Sequence, residues 1–158
     1  MFFNFNDLSF ACIIVSKDKH NIEYFKNNTL GYKPDDLAYN HKYKLVISHN
    51  IIAGQRYILY RDKRQQTKKT KLDEYLRREI KQIADIIPLE SKNNDLLQLC
   101  DLQVGSVYED FAKQVKNKDS PKKIIINHIK RHLRIKDFLK IDWNLKNKFN
   151  VWYYDPHK

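Results

Sequence analysis

The apolar residues of this chain alternate between short runs of strand length and longer stretches with helical spacing. The apolar run from Leu8 to Val15 is bounded by polar residues, which is typical of a strand buried on both faces. Pro34, followed by two aspartates, opens a predicted helix that Gly54 ends. The segment from Gln55 to Arg61 is rich in tyrosine and isoleucine and predicts a second strand, which ends at Asp62. Strands that alternate with helices along a chain form layered α/β structures. This alternation therefore predicts an α/β fold.

The second half of the chain continues the alternation. Thr70 and Asp73 resemble a capping box at the start of a helix whose apolar positions extend to Ile83. The further predicted elements are a short strand over 86–90, a helix over 95–116, a helix from Pro121 towards Leu139, and an aromatic strand over 149–156. The order strand, helix, strand, helix, strand, helix, helix, strand predicts a single α/β domain over residues 1–158.

Acidic side chains follow two of the predicted strands. Asp62 ends the second strand and Glu90 ends the third. Open α/β sheets bind ligands beyond the carboxyl ends of their strands, which makes both positions candidates for a functional site. A third acid, Asp101, lies in an otherwise apolar helical stretch, where an uncompensated carboxylate costs several kcal/mol to desolvate. A bound cation is one compensation for that cost.

A polar stripe runs along the helix that carries Asp101. Its members recur at spacings of three and four residues, namely Asn94, Gln98, Asp101, Gly105 and Tyr108. Glycine in a helix interior costs up to about 1 kcal/mol, so Gly105 indicates a close approach to another backbone.

Each of the three acids also has an ordinary structural explanation. Asp62 could be a turn acid beside Arg61 and Lys63. Glu90 could be a strand-end acid that faces water. Asp101 could pair with a lysine or cap a backbone group.

Several segments resemble one known family. They are Glu90-Ser91-Lys92, then Leu96 to Leu102 with Gly105, the strand ending Tyr60-Arg61-Asp62, and the terminal Phe149 to Trp152. The first two look like the "DSK…LLQLADLIAG" signature of the bacterial and phage proteins grouped as domain of unknown function 3800. The other two are similar to that family's second acidic strand and its usual ending. The resemblance covers most of the chain and is specific between Gln98 and Asp101.

The resemblance implies an RNase H-like mixed sheet flanked by helices, with carboxylates that bind Mg²⁺ or Mn²⁺ for phosphodiester hydrolysis. Asp62, Glu90 and Asp101 take the positions of the family's acids in these motifs, and would be both catalytic residues and metal ligands. Asn94, Gln98 and Lys92 would be supporting residues or substrate contacts.

The chain departs from the family pattern in two places. Glu90 replaces an aspartate, which lengthens the side chain by one methylene. The family also opens with a strand that ends "DESG", and no such segment precedes Leu8. We therefore expect an N-terminally incomplete relative of the family. Two-metal hydrolysis needs carboxylates around two cations about 4 Å apart, so the missing aspartate predicts impaired catalysis. Asp7 and Asp18 flank the first predicted strand, and Asp18 could partly substitute for the missing aspartate.

The chain is strongly basic, with 30 Lys+Arg against 19 Asp+Glu and a formal net charge of +11. Nucleic acid is the leading candidate partner, an anionic membrane surface is the second, and a merely soluble basic protein is the third interpretation. Residues 61–81 hold nine Lys and Arg against four acids, and residues 113–148 hold twelve against three. Such stretches could hold a phosphate backbone beside an acidic metal site.

Two functions from different classes fit these patterns. One is a metal-dependent nuclease, and the other is a non-catalytic module that binds nucleic acid or a protein through its basic face. A third alternative is an assembly subunit that forms a homo-oligomer through an exposed sheet edge. No apolar run approaches the ~20 residues of a membrane span, and the start of the chain has no leader features, so we expect a cytoplasmic protein without membrane association.

His128 and His132 have the i, i+4 spacing that can chelate zinc. A third ligand and a nearby general-base acid are missing from the motif. A solvated basic helix face is therefore the better account of these histidines.

Overall fold

The computed structural model describes residues 2–15, 23–27, 31–63, 70–112, 121–141, 144 and 147–154. The chain divides into two compact units. The first unit combines the N-terminal segment up to Ile14 with the segment from Gln98 to Tyr154, and the second contains the described residues from Val15 to Leu97. Each unit has its own cluster of buried apolar side chains.

The regular elements in chain order are β1 (Phe10–Val15), α1 (Glu23–Lys26), α2 (Pro34–Ser48), β2 (Tyr57–Asp62), α3 (Leu72–Glu79), β3 (Ile83–Leu89), α4 (Asp95–Phe111), α5 (Pro121–Leu133) and β4 (Phe149–Tyr154). Short 3₁₀ helices lie at Phe2–Asn4, Ser91–Asn93 and Phe138–Lys140. This order confirms the predicted α/β class, and among the described residues it adds the short helix α1 and the 3₁₀ helices. In the described part of the chain the strands form two two-stranded sheets, β1 with β4 and β2 with β3.

The second unit is built on the parallel pair of β2 and β3. Their register places Tyr57 opposite Ile83 and Asp62 opposite Leu89, with an irregularity after Tyr57. A parallel pair needs a crossover connection, and α3 lies within the connection here.

The core of the second unit forms where α2 and α3 meet the inward side of this pair. Leu72, Tyr75 and Leu76 share one face of α3 because they are three and four residues apart, and all are buried. They join a cluster that includes Leu37 and Ala38 of α2 and Ile83 and Ile86 of β3. Asn40 of α2 is fully buried, and its Nδ2 donates to the Thr70 carbonyl at 2.7 Å, which ties α2 to the segment before α3.

The start of α3 differs from the predicted capping box, and that prediction is wrong. Lys71 precedes the helix with φ of 52° and provides no side-chain cap. Asp73 instead accepts two hydrogen bonds from Arg61, each 2.6 Å long. Two hydrogen bonds between a guanidinium and a carboxylate are stronger than one helix-capping hydrogen bond to a neutral group. The Asp73 side chain therefore binds Arg61 and does not cap the helix. The helix also ends at Glu79, and Ile83 belongs to β3.

Helix α2 ends at Ser48, short of the predicted end at Gly54. Two side chains bind carbonyls of its last turns: a ring nitrogen of His49 lies 2.8 Å from the Leu45 carbonyl, and Asn50 Nδ2 donates to the Val46 carbonyl at 2.6 Å. Side chains that bind the last carbonyls satisfy groups that have no partner inside a helix, and so stop it early.

The first unit packs α4 and α5 with the sheet of β1 and β4. The backbone N–H of Phe10 donates to the Lys148 carbonyl at 2.8 Å, where the two strands meet. The core consists of large apolar side chains from every part of the unit, namely Phe10, Cys12, Val107, Ile126, Ile129, Phe138, Phe149 and Val151. Helix α5 ends at Leu133, and the predicted extension to Leu139 is replaced by the 3₁₀ turn at Phe138–Lys140. The predicted end of α4 at Lys116 lies outside the described residues.

Candidate functional site

Asp62 and Glu90 lie at the same edge of the parallel pair. Asp62 is the last residue of β2 and stands opposite Leu89, the last residue of β3, so Glu90 is the next residue along the chain. The Lys63 N–H donates to the Leu89 carbonyl at 2.8 Å, which extends the contact beyond Asp62. The expectation that both acids fall at strand carboxyl ends is confirmed.

Asp62 is half-buried beside an arginine that is committed to another acid. The Arg61 guanidinium forms a bidentate pair with Asp73, and its Nη1 also donates to the Asp62 carbonyl at 3.1 Å. The hydrogen bonds to Asp73 raise the pKa of Arg61 above its ordinary value. Arg61 therefore acts as a permanent cation that holds the end of β2 against α3.

Glu90 faces solvent at the start of the 3₁₀ turn Ser91–Asn93. One of its carboxylate oxygens lies 3.0 Å from Lys92 Nζ, and both side chains are largely exposed. An exposed ion pair contributes about 0–1 kcal/mol, so Lys92 does not fix the Glu90 carboxylate in place. The position suits a water-facing acid and leaves the carboxylate accessible to a cation.

Asp101 is exposed on α4. The expectation that its carboxylate is buried and pays a desolvation cost is therefore wrong. The buried face of this helix carries Gln103, Ser106 and Val107. The predicted polar stripe therefore lies away from the buried face of α4. Asp101 needs no cation to offset a cost of burial. Gly105 on the same stripe has open space at its side-chain position, since an added Cβ would meet no heavy atom of the described residues within 4 Å. The predicted close backbone approach at Gly105 is wrong.

Asn94 has a structural role at the start of α4. Its Oδ1 accepts a hydrogen bond from the Leu97 N–H at 3.0 Å, three residues further on. This is the geometry of a helix N-cap, which satisfies one of the free N–H groups of the first turn. Gln98 is exposed one turn before Asp101 on the same helix.

The described residues contain no group of three or more His, Cys, Asp or Glu side chains that could hold a metal ion. Asp62 and Glu90 belong to the second unit, and Asp101 belongs to the first. Of the two acids that flank the first strand, Asp7 is exposed and Asp18 lies outside the described residues. Carboxylate oxygens at one sheet edge are suitable ligands for Mg²⁺ or Mn²⁺, because such ions bind few protein carboxylates and take the remaining oxygens from water and phosphate. The site of Asp62, Glu90 and Asp101 stays a prediction.

Several described cations of the two basic stretches are paired with acids. In residues 61–81, Arg61, Arg77 and Arg78 bind Asp73, Asp85 and Glu79. In residues 113–148, Lys122 and Lys130 bind Glu109 and Asp110. Most of these pairs have no signal in the sequence, because they join residues from different elements.

A second set of cations is exposed and forms no ion pair with the described acids. It comprises Lys63, Lys71 and Lys81 in the first stretch, and Arg131, Arg134, Lys136 and Lys140 in the second. We call this set the free cations. They are the groups that a polyanion could contact without first breaking an ion pair.

Comparisons with family models, curated protein sequences and solved structures find no match to this chain. The resemblance to domain of unknown function 3800 stays an interpretation of the motif residues. Among the helices that the structure describes, none has the length and apolar character needed to cross a membrane.

Proposed function

We propose that this protein binds nucleic acid through its free cations. The observation that supports the proposal is the exposure of these Lys and Arg side chains, in a chain with a formal net charge of +11, without described acids to neutralise them. Each phosphate neutralised by a lysine or arginine releases condensed counterions, which drives binding without any requirement for sequence. The free cations occur in both units, so either unit could contribute to the interface.

Fluorescence anisotropy with labelled single- and double-stranded DNA and RNA tests this function over a series of salt concentrations. We expect the logarithm of the association constant to fall linearly with the logarithm of the salt concentration. Replacing Lys136 and Lys140 together by glutamine should weaken binding and lower the magnitude of that slope by about 2, because each lysine that no longer neutralises a phosphate lowers it by roughly one.

A matched control replaces two cations that already pair with acids. Arg77 binds Asp85 and Lys122 binds Glu109, so the double variant Arg77→Gln and Lys122→Gln should change the salt slope much less. Equal effects of the two double variants would contradict the assignment to the free cations. Absence of binding to every nucleic acid at low salt would refute the function itself.

We propose metal-dependent phosphodiester hydrolysis in an RNase H-like fold as the second candidate function. The observation that favours it is the register that brings Asp62 and Glu90 to one sheet edge. These two acids would hold Mg²⁺ or Mn²⁺. The motif resemblance also gives Asp101 the role of a ligand, which its own variant tests. The metal would supply an activated water and charge stabilisation for the leaving oxygen. The free cations would hold the phosphate backbone of the substrate.

Cleavage of the same nucleic acids in the presence of Mg²⁺ or Mn²⁺ tests this second function. We expect Asp62→Asn, Glu90→Gln and Asp101→Asn each to abolish cleavage while binding persists. Asp85→Asn is the control, because Asp85 is an exposed acid of β3 that pairs with Arg77. Binding without cleavage by the wild-type protein would refute the nuclease and leave the binding function intact. Retained cleavage in Asp101→Asn alone would remove Asp101 from the site.

A further inference from the structure

The first unit contains an apolar groove between α4, α5 and the N-terminal 3₁₀ helix. Its volume is about 390 Å³, which falls in the ~300–1,000 Å³ range of small-molecule sites. Phe2 and Phe3 form one wall, Leu102 lies on the α4 side, and Ile124 and His128 lie on the α5 side. All of these residues belong to the first unit.

Large apolar side chains at this groove remain open to solvent. Leu102 is 48% exposed and Ile124 is 61% exposed, while Ile126 and Ile129 of the same helix α5 are buried in the core. Exposed apolar side chains around a concave surface mark a binding site more often than scattered ones do.

One histidine lines the groove, and cationic groups lie near it. His128 lines it, and the exposed Arg131 lies three residues later on the same side of α5. At the opposite wall, the ring of His132 stacks on Phe3 with centroids 3.9 Å apart, and Lys148 Nζ lies 5.8 Å from the centroid of Phe2. Arginine and lysine supply positive charge here, and the imidazoles supply ring nitrogens for hydrogen bonds.

Acids do not offset this charge among the described residues that line the groove. The acids at the end of α4 are already engaged, since Glu109 binds Lys122 at 2.5 Å and Asp110 binds Lys130 at 2.6 Å. The groove therefore combines an apolar interior with positive charge nearby, at Arg131 on α5 and at Lys148 beside Phe2.

We propose that this groove binds a small amphiphile with an anionic head and an apolar body, of the class of medium-chain carboxylates. The apolar body lies against Phe2, Phe3, Leu102 and Ile124, and the head faces Arg131 and His128. This site is separate from the acids at the edge of the parallel pair and does not depend on the proposed nucleic-acid function.

Isothermal titration calorimetry on the full chain tests the site with three ten-carbon probes that differ only in the head: decanoate, decyltrimethylammonium and 1-decanol, each below its micelle concentration. We expect decanoate to bind about tenfold or more tighter than the cation, because a charge-assisted contact contributes roughly that factor. Shortening decanoate to octanoate should weaken binding up to about fourfold for each methylene removed. Equal affinity for the three heads, or no binding of decanoate, would overturn the proposal.

Matched variants locate the binding. Ile124→Asp should weaken decanoate binding about tenfold or more, and Leu102→Trp provides a second test because it fills the groove without adding charge. Ile58→Asp is the control, since Ile58 is a similarly exposed apolar residue of the second unit at 54%. Arg131→Gln should remove most of the preference for decanoate over decyltrimethylammonium. Circular dichroism checks that each variant is folded, and equal losses in Ile58→Asp and the folded groove variants would refute the location.

Discussion

Replacing Gly105 by alanine should stabilise the protein. Gly105 lies inside α4, outside the left-handed backbone region, and an added Cβ would meet no described heavy atom within 4 Å. Alanine is favoured over glycine by about 0.8–1.0 kcal/mol in a helix interior. With no collision to offset this gain, we expect the free energy of unfolding to rise by about 1 kcal/mol. For a chain of this length, that corresponds to an increase of about 2–4 °C in Tm.

The same substitution at Gly54 should have the opposite sign, which makes it a matched control. An added Cβ at Gly54 also meets no described heavy atom within 4 Å, but φ there is +82°. An L-residue in the left-handed region costs roughly 1–2 kcal/mol, so Gly54→Ala should lower the free energy of unfolding by about 1 kcal/mol. The two variants differ in backbone conformation and not in side-chain collision.

Urea unfolding followed by far-UV circular dichroism measures both effects. The wild type and the two alanine variants are compared at equal m-values, so that a shift of the midpoint reports stability alone. A fall in stability for Gly105→Ala at unchanged m would refute the reasoning. It would show that another group packs against Gly105, as its place in the polar stripe suggested.

Two ionic contacts of the second unit give further predictions. Asp73→Asn should lower the free energy of unfolding by about 1–2 kcal/mol, because it weakens the two 2.6 Å hydrogen bonds from Arg61, and both side chains are partly exposed. The control Asp85→Asn, at an exposed acid, should leave the urea midpoint nearly unchanged. Equal shifts of the midpoint in the two variants would contradict this prediction. The hydrogen bond from Lys44 lowers the pKa of Glu79 below that of an unperturbed glutamate. A carboxyl group whose pKa is lower in the folded state stabilises the fold at every pH above its unfolded-state pKa. This stabilisation is lost as the pH falls through the folded-state pKa. Glu79→Gln should therefore flatten the fall of Tm below about pH 5, and an unchanged pH profile would oppose the assignment.

The strands and the positions where they end were predictable because the signals for them are local. The start of β3 at Ile83 was not, because Ile83 also continues the helical spacing of α3. The apolar runs of β1 and β3 and the tyrosine-rich β2 can be found from a few consecutive residues, and polar residues mark where they stop. The positions of Asp62 and Glu90 follow directly from those ends. Their common edge required one more step, the parallel pairing of two strands separated by a helix.

The orientation of α4 was not predictable in the same way. Helical spacing identified a stripe through Asp101 and Gly105, but spacing alone does not say whether a stripe is buried. Apolar residues occur around most of this helix, and Leu102 and Val104 are exposed while Gln103 and Ser106 are buried. Which side faces the core is decided by packing against β1, β4 and α5, which no local pattern contains.

The ion pairs of the basic stretches were also not predictable, because most of them join residues of different elements and no local pattern contains them. Asp73 is close enough in sequence to Thr70 to suggest a cap, yet its partner is Arg61 at the end of β2. Arg77 likewise pairs with Asp85 on β3. A count of Lys and Arg along a stretch therefore overstates the charge that a phosphate backbone could contact.

Variants of the free cations and variants of the acids at the sheet edge test binding and cleavage separately. The free cations carry no described ion pair, so their replacement should act mainly on affinity and its salt dependence. Asp62 and Glu90 repel phosphate unless a cation lies between them and the backbone. Under metal-free conditions, Asp62→Asn and Glu90→Gln should therefore leave binding unchanged or strengthen it, because each removes a negative charge from the sheet edge. A loss of affinity in these variants without metal would mean that the acids maintain the structure of the edge, and the case for them as metal ligands would fail.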